Sequence, residues 1–167
     1  MTKRGHNLMI TYRYSVAADL PALFAIDQTI WNSQNSPGPM LAQNLATYAQ
    51  NYPVGSQLVA VQDEQILGMI SWNPMPPFMS MRFTWDIGIG ILPQAQHQGV
   101  GRGLMTKLKA EARRLGIHRL ELRVLATNLV ARQFYAQLGF QVESVAREAF
   151  YIDGHFVDDY GLAYLID

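Results

Sequence analysis

The chain has 167 residues, 49% apolar and 16% charged, long enough to bury a core of its own and too apolar for a disordered segment. Its 13 basic and 13 acidic residues cancel, which argues against a protein that coats nucleic acid, and the absence of cysteine excludes disulfides, cysteine-based zinc sites and a thiol nucleophile. No stretch approaches the ~18 apolar residues of a membrane span, and the amino terminus lacks the apolar core of a signal peptide; the expectation is one cytoplasmic domain, residues 1–167, with no membrane or nucleic-acid partner.

Ile10 to Tyr14 alternates apolar and polar residues and predicts a short strand. A helix follows, opened by Asp19 and Pro21, with Leu20, Leu23, Phe24, Asp27 and Trp31 on one face. Asn32 to Pro39 (NSQNSPGP) is a loop, and Met40 to Tyr52 reads as a second helix stopped by Pro53-Val54-Gly55. Leu58 to Val61 and Ile66 to Trp72 flank a polar tetrapeptide and predict a hairpin, although an Asn-Gly or Asp-Gly turn pair is missing. Asn73 to Met79 carries three prolines and is expected to be irregular.

From about Arg82 to Leu92 runs an apolar strand containing Ile87, Ile89 and Ile91. After Pro93, the glycines Gly99, Gly101 and Gly103 open a segment in which Leu104, Leu108, Ala112 and Leu115 recur at helical spacing. A helix begun in glycines offers unpaired N–H groups and about half a positive charge to an anion, and glycine lets a phosphate approach the main chain. A glycine-softened loop without a ligand fits the same residues. His118 to Leu125 gives another strand, so strand, helix and strand form a crossover with a parallel pair, whose carboxyl ends are where ligands settle in open sheets. Thr127-Asn128 caps a further helix with Leu129, Ala131, Phe134, Tyr135 and Leu138 on its apolar period, ended by Gly139. Phe140 to Ile166 is β-rich, folded back at Asp153-Gly154.

Gln96-His97-Gln98-Gly99-Val100-Gly101 resembles the diphosphate loop of the GNAT superfamily of acetyl-CoA-dependent N-acetyltransferases, which reads Gln or Arg, two residues, Gly, one residue, Gly or Ala. Asn128, Ala131, Tyr135 and Leu138-Gly139-Phe140 match the family's next motif, so the resemblance spans Trp85 to Phe140. It implies an α/β (α+β) fold: a mixed, mostly antiparallel sheet of six or seven strands with a central parallel β-α-β crossover and about four helices. It also implies transfer of acetyl from acetyl-CoA to a primary amine by direct attack, with a homodimer as one allowed assembly. A non-catalytic acyl-CoA sensor of the same fold is the alternative.

The resemblance further implies that main-chain N–H groups from Gln98 to Gly103, with Gln96, Gly99, Val100, Gly101 and Asn128, hold the coenzyme, and that its pantetheine arm lies beside Ile89 and Ile91. Arg102 would add charge near the phosphates, or is simply a solvated helix residue. Tyr135 would protonate the departing sulfur, an ordinary tyrosine being protonated at neutral pH with its pKa of about 10; the alternative is that it only packs. Asp86, on the strand bordering the acetyl group, is the candidate base, with Asp158, Asp159 and Glu148 as substitutes. His97 and His118 have no supporting metal ligands, and no metal is expected. The acceptor would meet Trp31 to Pro39, Asn73 to Met79 and the last hairpin, Arg147 to Asp158.

Overall fold

The computed structural model describes residues 9–38, 44–74 and 78–167. Seven strands form one sheet: β1 (Thr11–Tyr14), β2 (Gln57–Gln62), β3 (Gln65–Pro74), β4 (Thr84–Ile91), β5 (Arg119–Leu125), β6 (Gln141–Ile152) and β7 (His155–Leu165). Their spatial order is β1-β2-β3-β4-β5-β7-β6. Every neighbouring pair is antiparallel except β4 and β5, the parallel pair required by the crossover. Among the described residues the α-helices are α1 (Leu20–Ile30), α2 (Leu45–Asn51), α3 (Val100–Arg114) and α4 (Leu129–Gln137), and no helix there is long and apolar enough to cross a membrane.

Because successive side chains leave opposite faces of a strand, β2 buries both: Leu58 and Ala60 join a core with α3, and Val59 joins one with α1 and α2. The larger core packs Leu104, Met105, Leu108 and Ala112 of α3 on Ile70, Trp85, Ile87 and Leu120, with Tyr135 and Phe140 beside them. The smaller packs Leu23, Ile26 and Tyr48 on Val59, Ile66 and Met69. Burying each such aliphatic side chain stabilises the fold by roughly 1.5–3 kcal/mol. The sheet is thus sandwiched between α1 and α2 on one face and α3 and α4 on the other.

The hairpin turn between β2 and β3 has Asp63 and Glu64 both left-handed, at φ 51° and 63°, so two polar residues adopt the geometry that Asn-Gly would favour. The second predicted helix is described only from Leu45, where the Asn44 side chain caps it by accepting from the Thr47 amide at 2.9 Å; its expected start, residues 40–43, lies outside the described residues. One expectation fails: Asn73 and Pro74 are strand, paired with Asp86 and Trp85. The pairing of β2 with β3 ends at Ser71, so Pro74 has an open edge on that side and its missing N–H breaks no ladder. Residues 75–77, within the same expected loop, lie outside the described residues.

Buried charge ties α3 to the sheet. The Tyr14 hydroxyl donates to Glu111 at 2.8 Å, and Glu111 also pairs with Arg114 at 2.8 Å and Lys107 at 3.3 Å. Arg13 grips Asp19 through two bonds of 2.6 and 2.9 Å. Hydrogen bonds from Tyr14 and from Arg13, respectively, hold the Glu111 and Asp19 carboxyls below their ordinary values. A depressed carboxyl contributes stability that is present above its unfolded pKa and lost as pH falls through the folded one. Stability should therefore decline as the pH drops below the ordinary glutamate value of 4.5, and less steeply in Glu111→Gln. At neutral pH Tyr14→Phe should cost about 2 kcal/mol in urea unfolding, the worth of a hydrogen bond to a charged group.

Candidate active site

The parallel pairing of β4 with β5 covers only Thr84–Arg119, Trp85–Leu120 and Asp86–Glu121. Both strands continue, β4 to Ile91 and β5 to Leu125, each still held on its outer side, β4 by β3 to Gly68–Ile91 and β5 by β7 to Leu125–Asp159. The sheet divides there into two halves. Main-chain groups of residues 87–91 that face β5 have no strand partner, and an extended polar chain can pair with them as an added strand would. Ile89 and Ile91, both partly buried, flank that open edge.

Beyond the carboxyl end of β4 the chain makes a short turn, Pro93–Ala95, and enters α3 through Gly99 at φ 83°, a left-handed cap that suits glycine. No side chain caps the helix. The Gly103 amide bonds to the Gly99 carbonyl at 2.9 Å, so the amides of Val100, Gly101 and Arg102 precede the helical ladder and are available to an anion. Val100 is fully buried and anchors this turn. Gln96 donates to the Ile91 carbonyl at 3.4 Å and Gln98 to the Gln94 carbonyl at 2.7 Å, folding the loop on itself. Arg102 is exposed.

Gly103 departs from the expected role. Its amide is taken by the ladder, and the Tyr12 ring occupies the space where its side chain would be, so glycine serves packing there. At Gly101 a Cβ would lie 3.1 Å from the Phe134 ring, which brings α4 against the anion-binding turn.

Asn128 caps α4 by accepting from the Ala131 amide at 3.1 Å. One turn on, Tyr135 is buried edge-to-face between Phe134 and Phe140, with centroids at 5.3 and 5.4 Å. Burial first, and the charge of Asp86 second, push its hydroxyl above the ordinary tyrosine pKa. Asp86 sits at the last paired position of β4, and burial, then the charge of Glu121, push its carboxyl up. Tyr135 thus packs in the core on the α3 face, while Asp86, where the parallel pairing ends, lines the other side of β4.

On the α1 side, β4 floors a cavity of about 240 Å³ lined by Asp27, Trp31, Tyr52, Gln57, Met69, Ser71, Asn73 and Asp86, with residues 87–90 beneath. Trp31 and Asn73 come from the segments expected to meet the acceptor. The final hairpin supplies none of the described lining, because β6 lies at the far edge of the sheet, beyond β5 and β7. Asp158 accepts from the Glu148 amide at 2.7 Å and Asp159 is paired with Arg123, so both of these substitutes for Asp86 are engaged elsewhere. Sequence reasoning missed Asp27, Tyr52 and Gln57 as lining. Asp27 carried a signal, a carboxylate on the apolar face of its helix; it is buried and accepts from the Trp31 indole at 3.1 Å.

Three comparisons bear on this site. Residues 20–140 match the model of the acetyltransferase (GNAT) family. Over 141 residues the chain is 28% identical to an L-methionine sulfoximine/L-methionine sulfone acetyltransferase of Salmonella typhimurium, covering 80% of this chain and 81% of the relative. It is 27% identical to the L-amino acid N-acyltransferase MnaT of Escherichia coli, covering 80% of each. A Salmonella typhimurium protein solved with its cofactor acetyl-CoA has the same fold, with TM-score 0.82, 23% identity and 95% of each chain covered. With a divided parallel pair, an open glycine-led helix start and a family match running from α1 to Phe140, the chain belongs to the acetyltransferase (GNAT) family and is an acetyl-CoA-dependent N-acetyltransferase.

Proposed function

We propose that the protein, as one domain spanning residues 1–167, acetylates a small primary amine in the cytoplasm, with Asp86 as base and Tyr135 as acid. The observation that carries this reading is the end of β4–β5 pairing at Asp86–Glu121, which leaves one open edge between the α3 start and the cavity. The amides of Val100, Gly101 and Arg102 receive the coenzyme diphosphate, with Gln96, Gln98, Gly99 and Asn128 shaping the turns around it. The pantetheine arm lies along β4 beside Ile89 and Ile91, and a main-chain N–H near Ile91 polarises the acetyl carbonyl.

Bound acetyl-CoA supplies the thioester. Asp86, directly or through one water, takes a proton from the incoming ammonium, and its raised affinity for protons suits it to that task. The free amine nitrogen then attacks the carbonyl carbon; the C–N bond forms, the C–S bond breaks, Tyr135 gives its proton to the sulfur, and the second proton shed by the nitrogen passes through water to restore Tyr135.

Tyr135→Phe should lower kcat about 100-fold or more, within the range of general acid catalysis, while calorimetry finds acetyl-CoA binding intact. Thiol release reads the rate without background from the protein, which has no cysteine. An unchanged rate would remove the acid assignment. The rate should fall toward low pH as Asp86 is protonated, at a pH above the ordinary aspartate range, and Asp86→Asn should lose that acid limb together with most of its activity.

A further inference from the structure

We infer that the acceptor is a small amine that bears a second cationic group and no carboxylate. This rests on the acetyl-transfer reading above and names the substrate class of the same site.

The cavity lining carries two carboxylates, Asp27 and Asp86, and among the described residues that line it no lysine, arginine or histidine. The aromatic residues Trp31 and Tyr52 add ring faces, which attract cations. Trp31 is also the carboxyl-terminal cap of α1, so the helix turns its negative end toward the cavity and places Asp27 in its last turn. Four separate features therefore favour positive charge.

One carboxylate is enough to handle the reacting ammonium. Asp86 lies on the β4 floor at the acetyl edge and fills that role, whereas Asp27 belongs to α1, on a different wall. One oxygen of Asp27 accepts from the Trp31 indole, and the residue is 8% exposed. A buried carboxylate retained beside a cavity is stabilised by a cation entering it. The space, about 240 Å³, equals roughly eight waters of liquid, which suits a short diamine.

The two relatives above act, by their names, on amino acids, whose carboxylate travels with the amine. A site for such an acceptor needs a donor set for that carboxylate. Here the described lining offers that carboxylate only the neutral groups of Tyr52, Gln57, Ser71 and Asn73, beside the like charges of Asp27 and Asp86.

The test is thiol release from acetyl-CoA with 1,4-diaminobutane, L-ornithine and n-butylamine, which differ in the carboxylate and in the second cation. The diamine should exceed each of the other two in kcat/KM by about tenfold or more, the scale on which buried charge pairs discriminate. In D27N the ratio of diamine to butylamine should collapse by about tenfold, chiefly through KM for the diamine. Ornithine turned over as well as the diamine, or an unchanged ratio in folded D27N, overturns the inference and leaves acetyl transfer standing. No turnover of any amine by protein that binds acetyl-CoA overturns acetyl transfer itself, and this inference with it. The wild-type panel decides the matter even if D27N fails to fold.

Discussion

The site depends on a parallel strand pair that stays together for only three residue pairs. Each strand of that pair is more extensively bonded on its outer side, where antiparallel neighbours follow it to its end. When the two halves of the sheet diverge, the strand pair gives way. The loss leaves main-chain groups exposed along residues 87–91, and exposed main chain in a protected cleft has a strong tendency to find a partner. The open edge of β4 and the floor of the cavity are then two aspects of one opening.

Around that opening the glycines divide the work. Gly99 supplies a left-handed backbone, Gly101 lets the Phe134 ring close over the first turn of α3, and Gly103 makes room for Tyr12 of β1. The last two contacts hold α3 against α4 and against the far side of the sheet, and the Tyr14–Glu111 hydrogen bond adds a polar tie in the same direction. A helix start that must receive a diphosphate has to be rigid before the ligand arrives, since ordering it on binding would cost affinity. Packing against α4 and against β1 holds that start in place.

Electrostatics gives the two sides of the cleft different characters. Toward α3 the main chain presents open amides, whereas toward α1 the walls carry Asp27 and Asp86 and the carboxyl end of a helix. Open amides and carboxylates thus flank the same short stretch of β4 from opposite directions. Asp86 lies where the two sides meet, and its charge adds to the burial that pushes the Tyr135 hydroxyl up.

Local patterns in the chain were sufficient for the order and type of the elements, the crossover, the glycine-led helix start and the capped helix carrying Tyr135, because periodicity, caps and turn residues act over a few positions. The glycine spacing and the Asn128 to Phe140 spacing likewise belong to single turns. What lay beyond reach depended on contacts distant in sequence: that β3 would tolerate Pro74 on an open edge, that Gly103 would face Tyr12, and that the last hairpin would sit too far out to line the cavity. The acceptor walls come from α1, the end of α2, β2, β3 and β4. Asp27 looked like one polar position on an apolar helix face until the tertiary fold put it beside β4. The sequence by itself determined that a glycine-led turn opens a helix after β4, since that pattern lies within one turn; only the tertiary structure decided what lines the other side of the strand, since those side chains come from separate elements.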